Sequence, residues 1–290
     1  LSIATSLRTF PAIVGSLYRA MADHELLHHE THIAHPDAEW LVLIHGAGGS
    51  TVTWKRQVPV LGQQFNLLLV DLPGHGRMSE RPNLEPSYTF EHIGDRIWQV
   101  VDHLALGRVH LLGVSLGTVI ALSMREQRPT QVGSLVNGGA IVRLSTRLKV
   151  LATASLTLAK VIGYPAFYRL SATIMMPRKN HQKSRDVFIR ESRFLSTEEF
   201  RKWTAMYRGL NKTLKRLFSA ASDIPHLVVM GAQDHLFLDQ ARLYAELHDA
   251  VRLEVIPRCG HVVTIEQAEQ FNALCMAFLT DLRNRVPLSV

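Results

Sequence analysis

The stretch Val109-His110-Leu111-Leu112-Gly113-Val114-Ser115-Leu116-Gly117-Thr118 constrains this chain more than any other. A mainly apolar run from Val109 to Leu112 reads as a buried strand, and residues 118–127 read as a proline-free helix. Between them lies Gly113-Val114-Ser115-Leu116-Gly117, a G-x-S-x-G pattern. A serine on so tight a strand-to-helix turn needs neighbours without side chains two positions to either side, because a Cβ there collides with the turn. Such a turn lifts the hydroxyl above the sheet, and the new helix aims its first amides at whatever reacts there. The same five residues also describe a helix-capping serine between two turn glycines. Partners elsewhere in the chain must decide between the two.

Strands and helices alternate on both sides of this turn. Residues 25–34 have the weak alternation of an edge strand, and Trp40–Ile44 reads as a buried strand running into His45-Gly46-Ala47-Gly48-Gly49-Ser50. A helix is expected over 53–61, disturbed by Pro59. A second buried strand over 66–71 is followed by Pro73-Gly74-His75-Gly76. Apolar residues at Ile93, Ile97, Val100, Val101 and Leu104 have helical spacing. After a short strand over 132–136 the alternation stops, and helix-length segments without a convincing strand run to about residue 220. It resumes with a strand over 226–230, a helix over 240–247, a strand over 253–256 and a closing helix over 265–283. Near-continuous apolar strands separated by helices predict a mostly parallel sheet covered on both faces. The organisation expected is an N-terminal helical extension over 1–22, a core over 23–140 and 222–290, and a helical cap over 141–221. Ligands of such sheets lie beyond the C-terminal strand ends, so the cap sits over them as a lid.

A hydroxyl is a weak nucleophile and needs a base, usually histidine, oriented by a carboxylate. Among the 15 histidines, position is the useful filter: partners belong just after strand ends on the edge that carries Ser115. Asp234 follows one late strand in Gly231-Ala232-Gln233-Asp234, and His261 follows the next in Cys259-Gly260-His261. His235 neighbours Asp234 inside one loop and reads as loop lining. Asp239 fits a helix N-cap before Gln240. Asn137 stands where an acid after the 132–136 strand would be an alternative. His75 reads as a structural turn residue, and His45 as one that orients the glycine loop by hydrogen bonding. Trp54 reads as packing, and Glu266 as favourable helix-dipole chemistry at the start of the last helix.

The glycine loop after the first buried strand, Asp71-Leu72-Pro73-Gly74-His75-Gly76, Gly-Val-Ser-Leu-Gly, Gly-Ala-Gln-Asp and Cys-Gly-His together resemble the α/β-hydrolase superfamily. More narrowly they resemble its lidded esterase, thioesterase and meta-cleavage hydrolase branches. The likeness covers about 40–140 and 222–283 and leaves the cap aside. It implies the α/β-hydrolase fold with Ser115 as nucleophile, His261 as general base and then acid, and Asp234 as the orienting carboxylate. The amides of Leu116 and Ala47 would form the oxyanion hole. The chemistry implied is hydrolysis of a carboxylic ester or acyl thioester through an acyl-enzyme, with no metal and no cofactor. C–C hydrolysis of a dienone acid by the same residues is the rival enzyme, and a ligand sensor on the same fold the rival without turnover. Relatives often have serine directly after Gly-His-Gly-Arg, whereas Met78 intervenes here before Ser79.

Charge sets the cap apart. From Arg143 to Phe218 the sequence has 17 Lys and Arg against four Asp and Glu, in a chain of net charge +7. The remainder is therefore acidic, and the middle has a surface of its own. A basic cap face fits an acidic group: a CoA phosphate, an acyl-carrier protein or an anionic lipid surface. Nucleic acid fits poorly, because no basic motif interleaved with aromatics occurs. Met175 and Met176 suit an adaptable apolar acyl pocket. Two cysteines make no disulfide framework, which together with Arg19 immediately before Ala20-Met21-Ala22 favours a cytoplasmic protein over a secreted one.

Overall fold

The computed structural model describes residues 26–81, 85–146, 148–150, 158, 162–220 and 222–285. The helix expected over 1–22 lies outside them, as do Leu151, Leu156 and Val161 of the cap. Seven strands form one sheet: β1 (His29–His32), β2 (Trp40–Ile44), β3 (Asn66–Val70), β4 (Val109–Val114), β5 (Val132–Gly138), β6 (His226–Gly231) and β7 (Val251–Ile256). Their order is β1-β3-β2-β4-β5-β6-β7, with β1 antiparallel and every other pair parallel. This is the α/β-hydrolase arrangement that the motifs imply.

Strand residues alternate between two cores, as the period of two demands. Val42, Ile44, Leu68, Val70, Leu111, Leu135, Val228 and Met230 pack on one face. Leu41, Leu43, Leu67, Leu69, Leu112, Val136, Leu227 and Val229 pack on the other. The first face is covered by α1 (Phe90–His103) and α2 (Leu116–Gln127), whose Ile93, Ile97, Val100, Val101, Val119, Ile120 and Met124 join that core. Thr89 caps α1 by accepting from the His92 amide at 3.0 Å. The closing helix, α7 after the cap helices numbered below, spans Ala268–Arg285 and seals the second face with Phe271, Cys275, Phe278 and Leu279. The helix expected over 53–61 is instead a 3-10 turn, Thr51–Trp54, and a single α turn, Val58–Leu61, with Pro59 in its first turn. Proline supplies no amide to continue the earlier turn.

Chain direction reverses about β2: its successor β3 lies on one side and β4 on the other. The crevice beyond the C-terminal ends of β2 and β4 is therefore the switch point where such sheets bind ligands. Between the neighbouring strands β5 and β6 run α3 (Tyr164–Met175), α4 (Gln182–Glu191) and α5 (Thr197–Ser219). The N-cap of α5 is Ser196, which accepts from the Glu199 amide at 3.1 Å. Phe200, Trp203, Met206, Leu210, Leu214 and Leu217, spaced three and four apart, form the buried stripe of α5. Arg201, Arg208, Lys212 and Lys215 lie on its exposed side. Trp203 fixes the helix to the core by donating Nε1–H to the Pro73 carbonyl at 3.0 Å. The remaining core helix, α6 (Leu238–Leu247), separates β6 from β7.

Candidate active site

Ser115 sits between β4 and α2 with φ 53° and ψ −118°. These are the angles of the first central residue of a type II′ turn, a place that favours glycine. The two motif glycines have separate reasons. A Cβ on Gly113 would lie 2.5 Å from the Gly117 carbonyl oxygen, inside the turn itself. One on Gly117 would lie 2.2 Å from the Ile44 carbonyl oxygen and 2.7 Å from that of His45, so the second glycine serves the passage of α2 over β2. The Ser115 amide donates to the Gly138 carbonyl at 3.0 Å, and the Ser115 carbonyl accepts from the Thr118 hydroxyl at 2.6 Å. The turn is thus tied to β5 and to the first turn of α2.

Three side chains from three strand ends meet here. His261 Nε2 lies 2.8 Å from Ser115 Oγ, and His261 Nδ1 lies 2.8 Å from Asp234 Oδ2. The other Asp234 oxygen accepts from the amides of Leu236 at 3.2 Å and Phe237 at 3.1 Å. A carboxylate accepts only, so the proton between it and the ring belongs to Nδ1, leaving Nε2 to accept from the serine. Burial pushes the Asp234 carboxyl up, but the facing imidazole and the two amides outweigh it and hold the group below its ordinary value. The Phe237 ring lies against His261 with centroids 5.1 Å apart. Gly139, at φ 56°, admits the loop of His261: a Cβ there would lie 2.2 Å from the His261 carbonyl oxygen.

The rivals lie apart from this chain of hydrogen bonds. His235 is exposed. Asp239 is exposed, is paired with Arg242 at 3.4 Å, and stands in the first turn of α6, whose N-cap is Phe237. The expectation that Asp239 caps a helix starting at Gln240 is therefore corrected: α6 begins two residues earlier. Asn137 Nδ2 lies 3.0 Å from His226 Nε2, within the sheet. Cys259 is fully buried, and burial pushes its thiol up.

The glycine loop after β2 is held by two histidines. His45 donates from Nδ1 to the Gly46 carbonyl at 2.8 Å and accepts at Nε2 from the Leu72 amide at 3.0 Å. His75 donates from Nδ1 to the Pro73 carbonyl at 3.0 Å and accepts at Nε2 from the Gly48 amide at 3.1 Å. Burial holds both rings neutral, pushing His45 down to about 4 and His75 down to about 3. His75 therefore reaches beyond its own turn to brace the loop that carries Ala47. A Cβ on Gly46 would lie 3.1 Å from Ser115 Cβ, which brings this loop against the Ser115 turn. Leu116, the first residue of α2, has an amide with no acceptor inside its own helix.

A cavity of about 50 Å³ opens at Ser115 and His261. Its walls include Gly46 and Ala47 of the loop, Trp54 and Ile265 of the core, and Met175, Phe188 and Glu191 of the cap. Of the methionine pair only Met175 reaches it, since Met176 is fully buried elsewhere in the cap. Trp54 both packs in the core and faces the cavity. Glu191 gave no signal in the sequence. It is 9% exposed, accepts from Ser50 Oγ at 3.0 Å and pairs with Arg190 at 3.0 Å.

A family model for the alpha/beta hydrolase fold matches residues 39–268. The chain belongs to the α/β-hydrolase fold family. Among relatives, a putative carbamate hydrolase RutD from Acinetobacter baylyi is 25% identical over 260 residues, covering 84% of this chain and 94% of its own. The dihydrolipoyllysine-residue acetyltransferase component of an acetoin cleaving system from Pseudomonas putida is 26% identical over 259 residues, 82% of this chain. The match spans only 63% of that protein's length. Solved α/β hydrolases superpose over most of the chain. A carboxylesterase from Nitrososphaera gargenis has a TM-score of 0.71 at 20% identity, covering 89% of this chain and 96% of its own. A meta-cleavage product hydrolase from Pseudomonas fluorescens has a TM-score of 0.68 at 21% identity, covering 87% and 93%. At such identities the likeness shows the α/β-hydrolase fold.

Proposed function

We propose that this protein is a serine hydrolase that cleaves a small, uncharged carboxylic ester or acyl thioester through an acyl-enzyme. The observation that supports this most is the continuous hydrogen-bonded chain from Ser115 through His261 to Asp234. In this reading His261 Nε2 takes the Ser115 proton as Oγ attacks the acyl carbon. The carbonyl oxygen gains the charge and is received by the amides of Leu116 and Ala47, a term whose loss costs ~10²–10³ in rate. Asp234 stabilises the imidazolium. The tetrahedral species collapses, His261 gives its proton to the departing alcohol or thiol, and water repeats the sequence on the acyl-serine.

Cavity size and charge narrow the substrate. The space beside Ser115 is about 50 Å³ and is walled by apolar side chains, Trp54, Met175 and Phe188 among them, which supports a short apolar acyl group there. A dienone acid brings a carboxylate, which needs a cation beside it. No lysine or arginine is among the described residues lining the cavity, and Glu191 is there instead. Burying two carboxylates together is unfavourable, which supports ester over C–C cleavage.

The test is a panel of p-nitrophenyl acetate, butyrate and octanoate, a p-nitrophenyl carbamate, acetyl-CoA and a dienone acid, with fluorophosphonate labelling of the wild type and Ser115→Ala. The expected result is the highest kcat/KM on short neutral acyl groups, with labelling that Ser115→Ala abolishes. Preferred turnover of the dienone acid would replace the reading by C–C hydrolysis. An unlabelled, inert wild type would replace it by a ligand sensor.

A further inference from the structure

Glu266 was expected to serve a helix dipole at the start of the closing helix. It stands instead at the end of a separate turn, Val263–Glu266, and its side chain is 2% exposed. Its carboxylate grips the loop of His261 on both flanks. Oε2 accepts from the Gly260 amide at 2.6 Å, and Oε1 from the Val262 amide at 3.3 Å. The flanking peptides of the base are thereby fixed to one buried charge.

The rest of the carboxylate's surroundings come from the cap. Ser184, fully buried in the first turn of α4, has its hydroxyl 2.9 Å from Glu266 Oε1 and 2.8 Å from the His181 carbonyl. It has one proton, and the charged acceptor makes the stronger bond. The macrodipole of α4 favours a negative charge at that end, so a helix dipole does act on Glu266, but it belongs to the cap. His181, also fully buried, places Nε2 2.8 Å from Gln233 Oε1 and 3.6 Å from Glu266 Oε2, while its Nδ1 is buried with no partner. The proton therefore resides on Nε2, and the ring touches both loops that matter, since Gln233 precedes Asp234 and Gly260 precedes His261. A Cβ on Gly260 would lie 2.8 Å from that ring, which is the reason for glycine before the base.

We propose that Glu266 is a positioning residue that keeps His261 in line with Ser115, and that Ser184 and His181 make its hold depend on a seated cap. When the cap lifts, Glu266 loses the Ser184 hydrogen bond and the α4 dipole, Gln233 loses its donors His181 and Asn180, and the base loop relaxes. The hydroxyl is then fully activated only when the substrate is enclosed. This inference rests on the reading of Ser115 as nucleophile and His261 as its base.

The experiment compares the wild type with Glu266→Ala, Glu266→Gln and Ser184→Ala. It measures kcat and KM on the best short ester, the second-order rate of fluorophosphonate labelling, and thermal unfolding. Loss of alignment by about 1 Å costs ~10² in rate, so Glu266→Ala is expected to lower kcat and the labelling rate about 100-fold with KM within a factor of two. Ser184→Ala removes one hydrogen bond and is expected to lower both rates about fivefold. Glu266→Gln, which turns one acceptor into a donor facing an amide, should fall between them. The downfield proton resonance shared by His261 and Asp234 should broaden in all three. Folded variants with wild-type kcat and labelling rate, or with losses confined to KM, would overturn the inference. Should Glu266→Ala fail to fold, the milder pair decides the matter by the same criteria. A wild type that neither labels nor turns over esters would instead defeat the functional reading beneath it.

Discussion

Replacing Ser115 by glycine should yield a more stable protein than replacing it by alanine, a prediction that needs no substrate. Both variants lose the hydroxyl and its 2.8 Å contact with His261, so that term cancels between them. What remains is the backbone at φ 53° and ψ −118°. A residue with a Cβ in so sparse a region costs ~1–3 kcal/mol. Glycine escapes this cost but loses ~0.4–1 kcal/mol through the greater freedom of its unfolded chain. The difference is about 1–2 kcal/mol in favour of Ser115→Gly, or ~1.5–3 °C in Tm for a chain of this size. Urea titrations with equal m-values, supported by calorimetry, would read it directly. Equal stabilities, or a more stable Ser115→Ala, would mean that the surrounding structure imposes no strain at residue 115. The argument that the motif glycines exist to hold a strained serine would then fail.

Other perturbations test separate parts of the site. Gly117→Ala puts a Cβ against main-chain oxygens of β2 that have nowhere to move, and should cost about 3 kcal/mol or more, seen as an earlier urea midpoint. Asp234→Asn should leave the fold in place yet lower kcat by ~10³–10⁴, because an amide turned toward Nδ1 favours the wrong tautomer. Titration of the buried histidines sets the acid limb of stability. His45, His75 and His226 are pushed down to about 4, 3 and 3. Below the ordinary histidine pKa the unfolded chain takes up protons that the folded rings refuse, so stability falls from about pH 6.5 toward pH 4. The slope is ~1.4 kcal/mol per pH unit for each ring. His75→Asn should make that slope shallower, and a flat stability between pH 6.5 and 4 would contradict the burial argument.

The meeting of Ser115, Asp234 and His261 was legible because the first two follow apolar runs that form buried strands, because His261 follows the alternating edge strand Val251–Ile256, and because parallel strands deliver their C-terminal ends to one edge. The expected helix over 53–61 failed at Pro59, where apolar spacing continued but the amide supply did not. The Gln240 boundary failed because Asp234 itself organises the start of α6 by accepting from Leu236 and Phe237, and a side chain that reaches forward to two amides in this way leaves no periodic trace. Glu266 was visible as a charge near a helix start, and that local rule gave the wrong helix. Its real partners at Ser184 and His181 are about 80 residues away in the chain. Glu191 carried even less signal, since its role depends on Ser50, 141 positions earlier.

The same division explains how the two sides of the site are built. At the glycine loop, neutral imidazoles do the bracing: His45 and His75 each donate from one nitrogen and accept at the other, which a charged ring could not do. Around His261 a buried carboxylate does the bracing, because the groups to be held, the amides of Gly260 and Val262, are both donors. The cap touches each brace. A Cβ on Gly48 would lie 2.9 Å from the Tyr168 ring, and Ser50 donates to Glu191, while Ser184 reaches Glu266 on the opposite side. A helical insertion that contacts only one loop would cover the substrate without sensing alignment. One that contacts both spans the space above Ser115, so its seating bears on the two flanking loops together, and the residues doing so come from α3, α4 and the turns beside them. The inward positions of the cap at Tyr168 and Glu191 therefore bear on the glycine loop, and those at His181 and Ser184 on the loops of Gln233 and Glu266.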